Sequence, residues 1–545
     1  MKQEKKLPCA AYFCMEYGLH EDFKIYSGGL GILAGDILKA AKDGGYPMVG
    51  VGILWRQGYT SQRIGEDGRL YDCFPEYRYD FLEDTGVCVT VPIRGRQVRA
   101  KVWKCEQYGN VPLYLLDTNL PQPDFYLTGQ LYGWFEEERV AQEMILGIGG
   151  VRALRALGIH PDVYHFNDSH PLFAGIELIR EQMEENGLDF EHAWPRVKEH
   201  IVFTTHTPVE AGNELHGHDV LRYMGAYDGL TGAQMTAIGG SPFSMTAAGL
   251  RLSRRANAVS RLHGETARRM WAGVPGGSSI LSITNGVHNG TWQSPEIFAA
   301  YRDGGDLWGA HQRQKRAMLE EVFRRGGVRL REDVPTIGFA RRAAPYKRAD
   351  LIFRDEKLIG GMLQNHEIQI VFAGKAHPND LTGKKIVENL IRWSRRYEGS
   401  VVFLQDYDMA VGKMLTRGCD VWLNNPVRPM EASGTSGMKA AMNGVLNFSV
   451  LDGWWPEACE HGGNGWRIGS DRTDEDCDRT DAESLYRTLR EEILPAYRNR
   501  DVWVNMMRAS IAMSSGRFSA ARMVREYYEK MYETQNGAVG ASPER

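Results

Sequence analysis

No two cysteines are spaced C-x-x-C, although eight occur, at 9, 14, 73, 88, 105, 419, 459 and 477. A zinc knuckle and a thioredoxin-like redox motif are thereby excluded. In a chain of 545 residues these cysteines read as reduced, mostly buried thiols. No run of about 18 apolar residues is present, so no membrane-spanning helix is expected. An excess of positive charge is also missing. Lys and Arg number 65 against 69 Asp and Glu, a net charge of −4, which argues against a nucleic-acid binder. The N-terminus, MKQEKKLPCAAYFCMEYG, has only a short apolar stretch, ended by Glu16, and no A-x-A-like site. It is not read as a signal peptide, and a cytoplasmic protein is expected. No repeat of 20–50 residues is visible. Low complexity is confined to NGAVGASPER, read as a flexible tail over 536–545. Predominant disorder is excluded by 43% hydrophobic residues, which give the chain ample surface to bury.

What is present is an alternation of short strands and helices. It is clearest from about Pro335 to Asp452. PTIGFA, EIQIVFAG, SVVFLQD, CDVWLNN and VLNFSVLDG read as strands, separated by the helical stretches DLIFRDEKLIGGMLQ, KKIVENLIRWSRRYEG, AVGKMLTRG and GMKAAMNG. This rhythm means βαβ units and a parallel sheet covered on both faces. The N-terminal half repeats it less cleanly, with PDVYHFND and HIVFTTH as strands and a long helix in EEERVAQEMILGIGGVRALRALG. Residues 50–120 suggest antiparallel strands, an insertion or sub-sheet. FRRGGVRLREDVP, 323–335, is a plausible linker. Two α/β domains facing a cleft follow, with ligands expected beyond the carboxyl ends of the strands.

Three segments could hold an anion there. Tyr26-Ser27-Gly28-Gly29-Leu30-Gly31 precedes a helix, where glycines admit a close approach to backbone N–H groups; a tight turn and cap is the blander explanation. Arg341, Arg342, Lys347 and Arg348 crowd four cations into eight residues after a strand. They would repel one another without a negative partner, and a phosphate is the economical one; a solvated basic loop is the alternative. Glu431-Ala432-Ser433-Gly434-Thr435-Ser436-Gly437-Met438-Lys439 opens another helix, with Lys439 beside a cradle of small residues. A lysine next to a phosphate nest suits pyridoxal phosphate, against a surface lysine on a capped helix. The histidines of HFNDSH (165–170) and HTPVEAGNELHGHD (206–219) resemble metal ligands only weakly, and no metal is expected. Helix capping by Asn167, Asp168 or Ser169 is blander. Ser433 lacks the G-x-S-x-G elbow of a hydrolase, and no carboxylate pair can be chosen by spacing.

EASGTSGMKAAMNG closely resembles the pyridoxal-phosphate signature of the α-glucan phosphorylases, the glycogen, starch and maltodextrin enzymes. FCMEYG, YSGGLGILAGD, HFNDSHP, TTHTP, ITNGVHNGTW, FARRAAPYKRA, FLQDY and GRFSAARMVREY are similar to further motifs of that family, in the same order. The resemblance implies the two-domain GT-B fold: a Rossmann-like glucan- and phosphate-binding domain at 1–325 with a β-rich insertion near 50–120, a Rossmann-like pyridoxal-phosphate domain at 330–510, and a helix over 511–535 returning to the first domain. It implies reversible phosphorolysis of a terminal α-1,4-linked glucose to glucose 1-phosphate, with retention. The partners would be a glucan or maltooligosaccharide and phosphate, and a homodimer is possible within the family.

By the same resemblance Lys439 is the lysine that holds pyridoxal phosphate as an imine. Thr435, Ser436, Arg341, Tyr407 and Trp292 match positions around that cofactor. Arg342 and Lys347, with Gly28 and Gly29, match the substrate-phosphate site. Glu431, Ser433 and Gly434 match contacts to the glucose hydroxyls, Asn285 and His206 contacts on the far side of the sugar, and Glu16 and Asp168 acidic positions near the cleft. In the family the cofactor phosphate is the acid–base group, which explains why no carboxylic-acid pair is legible.

The sequence also departs from the longer family members. It begins close to the first catalytic-domain motif, so their N-terminal phosphorylation and nucleotide control is not expected. Ser436-Gly437 and Ala343-Ala344-Pro345 replace their usual residues, and LDGWWPE resembles the shorter bacterial and archaeal branch. Trp454 and Trp455 either stack on sugar or pack in the core. Two other functions compete: a nucleotide-sugar glucosyltransferase of the same fold, which would have no use for Lys439, and a glucan-binding protein with little turnover.

Overall fold

The computed structural model describes residues 6–209, 212–470 and 476–533. The tail expected at 536–545 lies outside the described residues. Two large sheets organise the chain. The first has nine strands in the order Ile280–Ser282, Arg255–Ala258, Ile201–Thr204, Val163–Asn167, Ala10–Phe13, Met48–Ile53, Leu113–Asp117, Arg96–Cys105, Glu83–Ile93. The second has six, in the order Val401–Leu404, Gln369–Ala373, Thr336–Ala340, Val421–Asn424, Leu446–Val450, Gly465–Ile468, all paired in parallel. The central strands AAYF, TIGFA, QIVFA and LNFSV are buried at every position. Continuous apolar runs of this kind are what a parallel sheet covered by helices on both faces requires. Aspartates cap several of those helices: Asp306, Asp380 and Asp408 accept hydrogen bonds from the N–H groups of Gly309, Gly383 and Val411.

Both sheets reverse their strand order at one point. In the first, the chain moves from Ala10–Phe13 to Met48–Ile53 on one side and to Val163–Asn167 on the other. In the second, Thr336–Ala340 lies between Gln369–Ala373 and Val421–Asn424. Crevices at such reversals, beyond the strand carboxyl ends, are where open α/β sheets bind ligands.

Several sequence expectations need correction. Within 50–120 only Glu83–Ile93 and Arg96–Cys105 extend the first sheet as antiparallel strands. Met48–Ile53 and Leu113–Asp117 pair in parallel and belong to the body of that sheet. The hairpin Ser61–Ile64 with Leu70–Cys73 leaves the sheet and docks on the second half, where Gln62 Nε2 donates to Ala376 O and Lys384 pairs with Asp72. The linker is shorter than expected, because helix Leu307–Gly326 runs into it and ends at Gly327 in the left-handed conformation. The cysteines are free, but only Cys14, Cys105 and Cys419 are buried. Cys73 and Cys88 are exposed, on a two-stranded hairpin and on an edge strand. No helix among the described residues is long and apolar enough to cross a membrane.

After helix Arg500–Arg517 the chain returns to the first sheet through Ala520–Tyr527. Its tyrosines enter the first core beside His165, whose Nδ1 lies 2.7 Å from Tyr532 Oη.

Candidate active site

The ends of the strands at the two reversals face each other across a cleft of about 700 Å³. Every residue that the family resemblance implies at the coenzyme, phosphate or sugar lines it. Glu16 follows strand Ala10–Phe13, Asp168 follows Val163–Asn167, His206 follows Ile201–Thr204 and Asn285 follows Ile280–Ser282. From the other sheet Arg341 and Arg342 follow Thr336–Ala340, Tyr407 follows Val401–Leu404, and the segment 431–439 comes after Val421–Asn424.

Glu16 orders the glycine loop. Its carboxylate accepts from Ser27 N at 2.5 Å, Gly28 N at 3.1 Å, Ser27 Oγ at 2.9 Å and Tyr132 Oη at 2.5 Å. The loop thus enters the helix Gly29–Asp43 with its N-terminus on the cleft. A Cβ on Gly28 or Gly29 would meet nothing within 4 Å. Packing therefore does not demand glycine there, whereas close approach of a ligand would.

The basic segment divides. Arg348 has a positive φ of 46° and turns away from the cleft to Asn425 O, Pro426 O, Asp478 and Asp481. Of the four crowded cations, three remain on the cleft. Arg341 and Lys347 both reach Glu431, at 3.1 and 3.0 Å. Arg342 is exposed and has no ion pair or hydrogen bond among the described residues. Burial pushes Lys347 down to about 8, against the attraction of Glu431. Burial works to raise Glu431, but Lys347 and Arg341 hold it below the usual carboxylate range. Three cations against one carboxylate leave positive charge for an anion.

Lys439 is buried on helix Ser436–Ala441, its Nζ 3.6 Å from the centroid of the Trp292 ring. Burial brings its amine down to about 8, with Asp36 opposing the shift. Trp292 is held edge-on by Asp36, whose carboxylate accepts from Nε1 at 2.9 and 3.0 Å. Gly434, with φ of 80°, makes the left-handed turn before Thr435 and Ser436. Ser436 Oγ accepts from Trp422 Nε1.

On the opposite wall the imidazole of His206 lies 2.6 Å from Asn167 Oδ1, and burial drives it down to about 3, so it is neutral. Asn167 therefore positions a histidine and caps no helix, contrary to the blander expectation. Asp168 has φ of 67°, the left-handed region that non-glycine residues seldom occupy, and burial raises its carboxyl to about 7. Asn285 Oδ1 and Ser433 Oγ are buried without a hydrogen-bond partner. Such groups are costly unless a polar ligand satisfies them. Arg522 of the returning helix donates to the carbonyls of Thr284 and Asn285 at 2.7 and 3.0 Å, fixing the Asn285 turn.

Trp454 and Trp455 are buried against Met438, Met409 and Phe518, so they pack and do not line the cleft. Conversely, Tyr59, Tyr132, Arg139, Glu214, Lys375 and His377 line the cleft and were not singled out in the sequence. Lys375 and His377 directly follow strand Gln369–Ala373, so the strand-end rule reaches them; nothing local marks Arg139.

The carbohydrate phosphorylase family profile matches residues 354–468. The chain is 40% identical to the maltodextrin phosphorylase of Thermococcus litoralis, over 96% of this chain and 70% of that protein. It is 38% identical to the glycogen phosphorylase of Mycobacterium bovis, with the same coverage, and 34% identical to that of Aquifex aeolicus, over 95% of this chain and 85% of the relative. With identity of this order over 95–96% of its length, the chain belongs to the carbohydrate phosphorylase family.

Proposed function

We propose that the protein cleaves the terminal α-1,4-linked glucose of a maltodextrin or glycogen-type glucan with inorganic phosphate, releasing glucose 1-phosphate with retention, and that it holds pyridoxal phosphate at Lys439. One observation carries this reading: a buried amine, Lys439, and a cationic group balanced by a single carboxylate line the same cleft. Lys439 suits the coenzyme. Its amine has no hydrogen bond or carboxylate contact among the described residues, its proton is loosened by burial, and the Gly434–Ser436 turn adjoins it. When bound, pyridoxal phosphate supplies a second phosphate that serves as acid–base group beside the substrate phosphate. Arg341, Thr435, Ser436, Tyr407 and Trp292 are proposed to hold it.

The remaining roles follow from charge and reach. Arg342 and Lys347, with the Gly28–Gly29 amides, bind the substrate phosphate. Glu431, Ser433 and Gly434 take the glucose hydroxyls from one side and Asn285 from the other. The orphaned Asn285 Oδ1 and Ser433 Oγ gain partners in this way. In the reaction the bond from C1 to the glycosidic oxygen breaks, that oxygen takes the proton of the substrate hydrogen phosphate, and C1 bonds to an oxygen of that phosphate on the same face. The carbonyl of His206 is assigned to the developing cation at C1. Its neutral imidazole adds no repelling charge there. Glu16 and Asp168 shape the wall by holding the glycine loop and the end of strand Val163–Asn167.

The deciding assay is release of glucose 1-phosphate from maltodextrins with and without inorganic phosphate. Phosphate-dependent release is expected; absence of release from folded, coenzyme-loaded protein rejects the reading. Arg342→Ala removes an unpaired, exposed cation, so folding is unaffected. Loss of a charge-assisted contact worth about 1.5–3 kcal/mol predicts a KM for phosphate raised roughly 10- to 150-fold, with glucan KM nearly constant. Equal loss for both substrates would reject the assignment.

Lys347 gives a pH signature. A lysine with a pKa of about 8 is cationic below it and neutral above it, so phosphate binding is strong in the lower range and weakens as pH rises through 8. In Glu431→Gln the attraction that raises the lysine is gone, and the alkaline limb moves to lower pH. Phosphate itself titrates nearby, so the readout is the displacement between the two loaded enzymes. Superimposable profiles would contradict the Lys347 role.

A further inference from the structure

One group of ionisable side chains has no place in the reaction described above. Glu143 lies on helix Glu136–Met144, and Glu214 and His216 lie at the short strand Leu215–His216. One ligand atom from each falls within 4.8 Å of the other two. Glu143 is 0% exposed and His216 4%, yet Glu143 Oε2, Glu214 Oε2 and His216 Nε2 have no hydrogen-bond partner. Buried polar atoms are rarely left in this state, and here three belong to side chains that come together.

The other atoms of the same side chains are engaged, Glu143 Oε1 by an ion pair without a hydrogen bond. Arg139 donates to Glu214 Oε1 from Nε at 3.0 Å and from Nη2 at 2.5 Å, and its Nε lies 3.2 Å from Glu143 Oε1. His216 Nδ1 lies 3.0 Å from Glu136 Oε1. With one proton kept on Nδ1 facing that carboxylate, an ion that displaces the proton of Nε2 would meet a lone pair there. A carboxylate behind an imidazole in this manner is the usual support of a metal-binding histidine. His216 Nε2 and Glu143 Oε2 are 3.7 Å apart, too far for a hydrogen bond but close to the separation of two ligands on one ion. Charge is compatible with an ion. Glu136, Glu143 and Glu214 face one guanidinium, Arg139, and without an ion the three carboxylates hold the His216 imidazole protonated, pushed up to about 9. A divalent cation would displace that proton and take its place as the balancing charge.

We infer that Glu143, Glu214 and His216 bind one divalent metal ion, through Glu143 Oε2, Glu214 Oε2 and His216 Nε2. Two carboxylates and an imidazole suit Zn²⁺ or Mn²⁺ better than Ca²⁺ or Mg²⁺, which prefer oxygen alone. The ion ties helix Glu136–Met144 to strand Leu215–His216 at the rim of the cleft, where Glu136, Arg139 and Glu214 line the wall. Its role is to fix that wall, and its binding does not depend on which reaction the cleft performs. Sequence spacing could not show the site, because Glu143 stands far along the chain from the Glu214–His216 pair.

The test uses the full chain stripped with EDTA and dialysed. Calorimetric titration with ZnCl₂ and with MnCl₂ is expected to show one ion per chain for at least one of the two metals, and that ion raises the thermal midpoint. In Glu143→Gln and in His216→Gln the affinity falls at least about 100-fold and the thermal rise disappears. Glu136→Gln, at the partly exposed outer carboxylate, weakens binding about 10- to 100-fold without removing a ligand, and serves should the ligand variants misfold. No stoichiometric binding of either metal by the stripped wild-type chain overturns the inference, with a proton shared between the carboxylates then filling the gap. So does full wild-type affinity in the folded variants.

Discussion

Lys439→Ala is expected to yield a folded protein without bound coenzyme and with phosphorolysis lowered by at least about 10²–10⁴-fold, the range that positioned acid–base groups contribute. Two measurements check it: the visible absorbance of the bound coenzyme in purified protein, and glucose 1-phosphate release. Folding should survive because the charge of the lysine burdens the folded state near neutral pH. Its amine is buried, the carboxylate of Asp36 acts on it only at a distance, and its proton affinity falls from 10.5 to about 8. A base whose folded pKa lies below its unfolded one burdens the folded state while it is charged. That burden is full below about pH 8 and fades as pH rises toward 10.5. Alanine removes it, at the expense of a cavity beside Trp292 and the cation–ring contact. Coenzyme-free Lys439→Ala and coenzyme-free wild type should therefore melt within a few degrees of each other at pH 7. Full activity in the variant would end the case for Lys439, and a collapsed fold would show that the residue is structural.

How much of this was legible in the sequence depended on whether a feature is local. The second sheet was, because Gly374 and Gly399 close runs such as EIQIVFAG and RRYEG at the strand and helix ends the structure shows. The last strand, GWRI, carries little local signal: it is four residues long, its Arg467 is exposed, and glycines precede it. In the first half the parallel pairing of Met48–Ile53 with Leu113–Asp117 spans some sixty residues, and register of that kind is decided by the sheet as a whole. The same division holds at the cleft. Arg341 and Arg342 could be located because they end a strand. Arg348, in the same motif, could not be told apart from them, since what turns it away is a left-handed φ and two aspartates far along the chain. For Trp454 and Trp455 the sequence leaves both stacking and packing open, because Phe518, which packs against Trp454, comes from the far end of the chain. The support that Arg522 gives to Asn285 comes from the end of the chain and has no local sign.

The largest stability effect is expected at Lys315→Met, away from the cleft but at the base of the strands that build it. Asp420 is fully buried where strand Val421–Asn424 begins, and its Oδ2 accepts from Lys315 Nζ at 2.7 Å and from Thr336 N at 2.7 Å. Its Oδ1 lies 3.0 Å from His311 Nε2. Lys315 also reaches Val334 O and Tyr497 Oη, at 2.7 and 3.0 Å. This network ties helix Leu307–Gly326 to the two strands whose far ends lead to Arg341 and to Glu431–Lys439. Burial works to raise the Asp420 carboxyl, and Lys315 and His311 overcome it, keeping it ionised below the usual range. Methionine fills the volume but leaves a buried carboxylate without its main counter-charge. Breaking one side of such a pair costs about 3–5 kcal/mol, read as a lower urea midpoint. The sign with pH is fixed by the carboxyl. In the wild type its lowered pKa contributes stability above pH 3.8 that is lost in acid; in the variant the carboxyl rises above 3.8 and stability falls as pH rises. The gap between the two proteins should be small in acid and widest near neutrality. Lys315→Met with Asp420→Asn removes both charges and keeps an acceptor for Thr336 N, so the double variant should recover part of the loss. A single variant within about 1 kcal/mol of wild type at pH 7, or a double variant less stable than Lys315→Met alone, would mean that packing, not the ion pair, holds this end of the sheet.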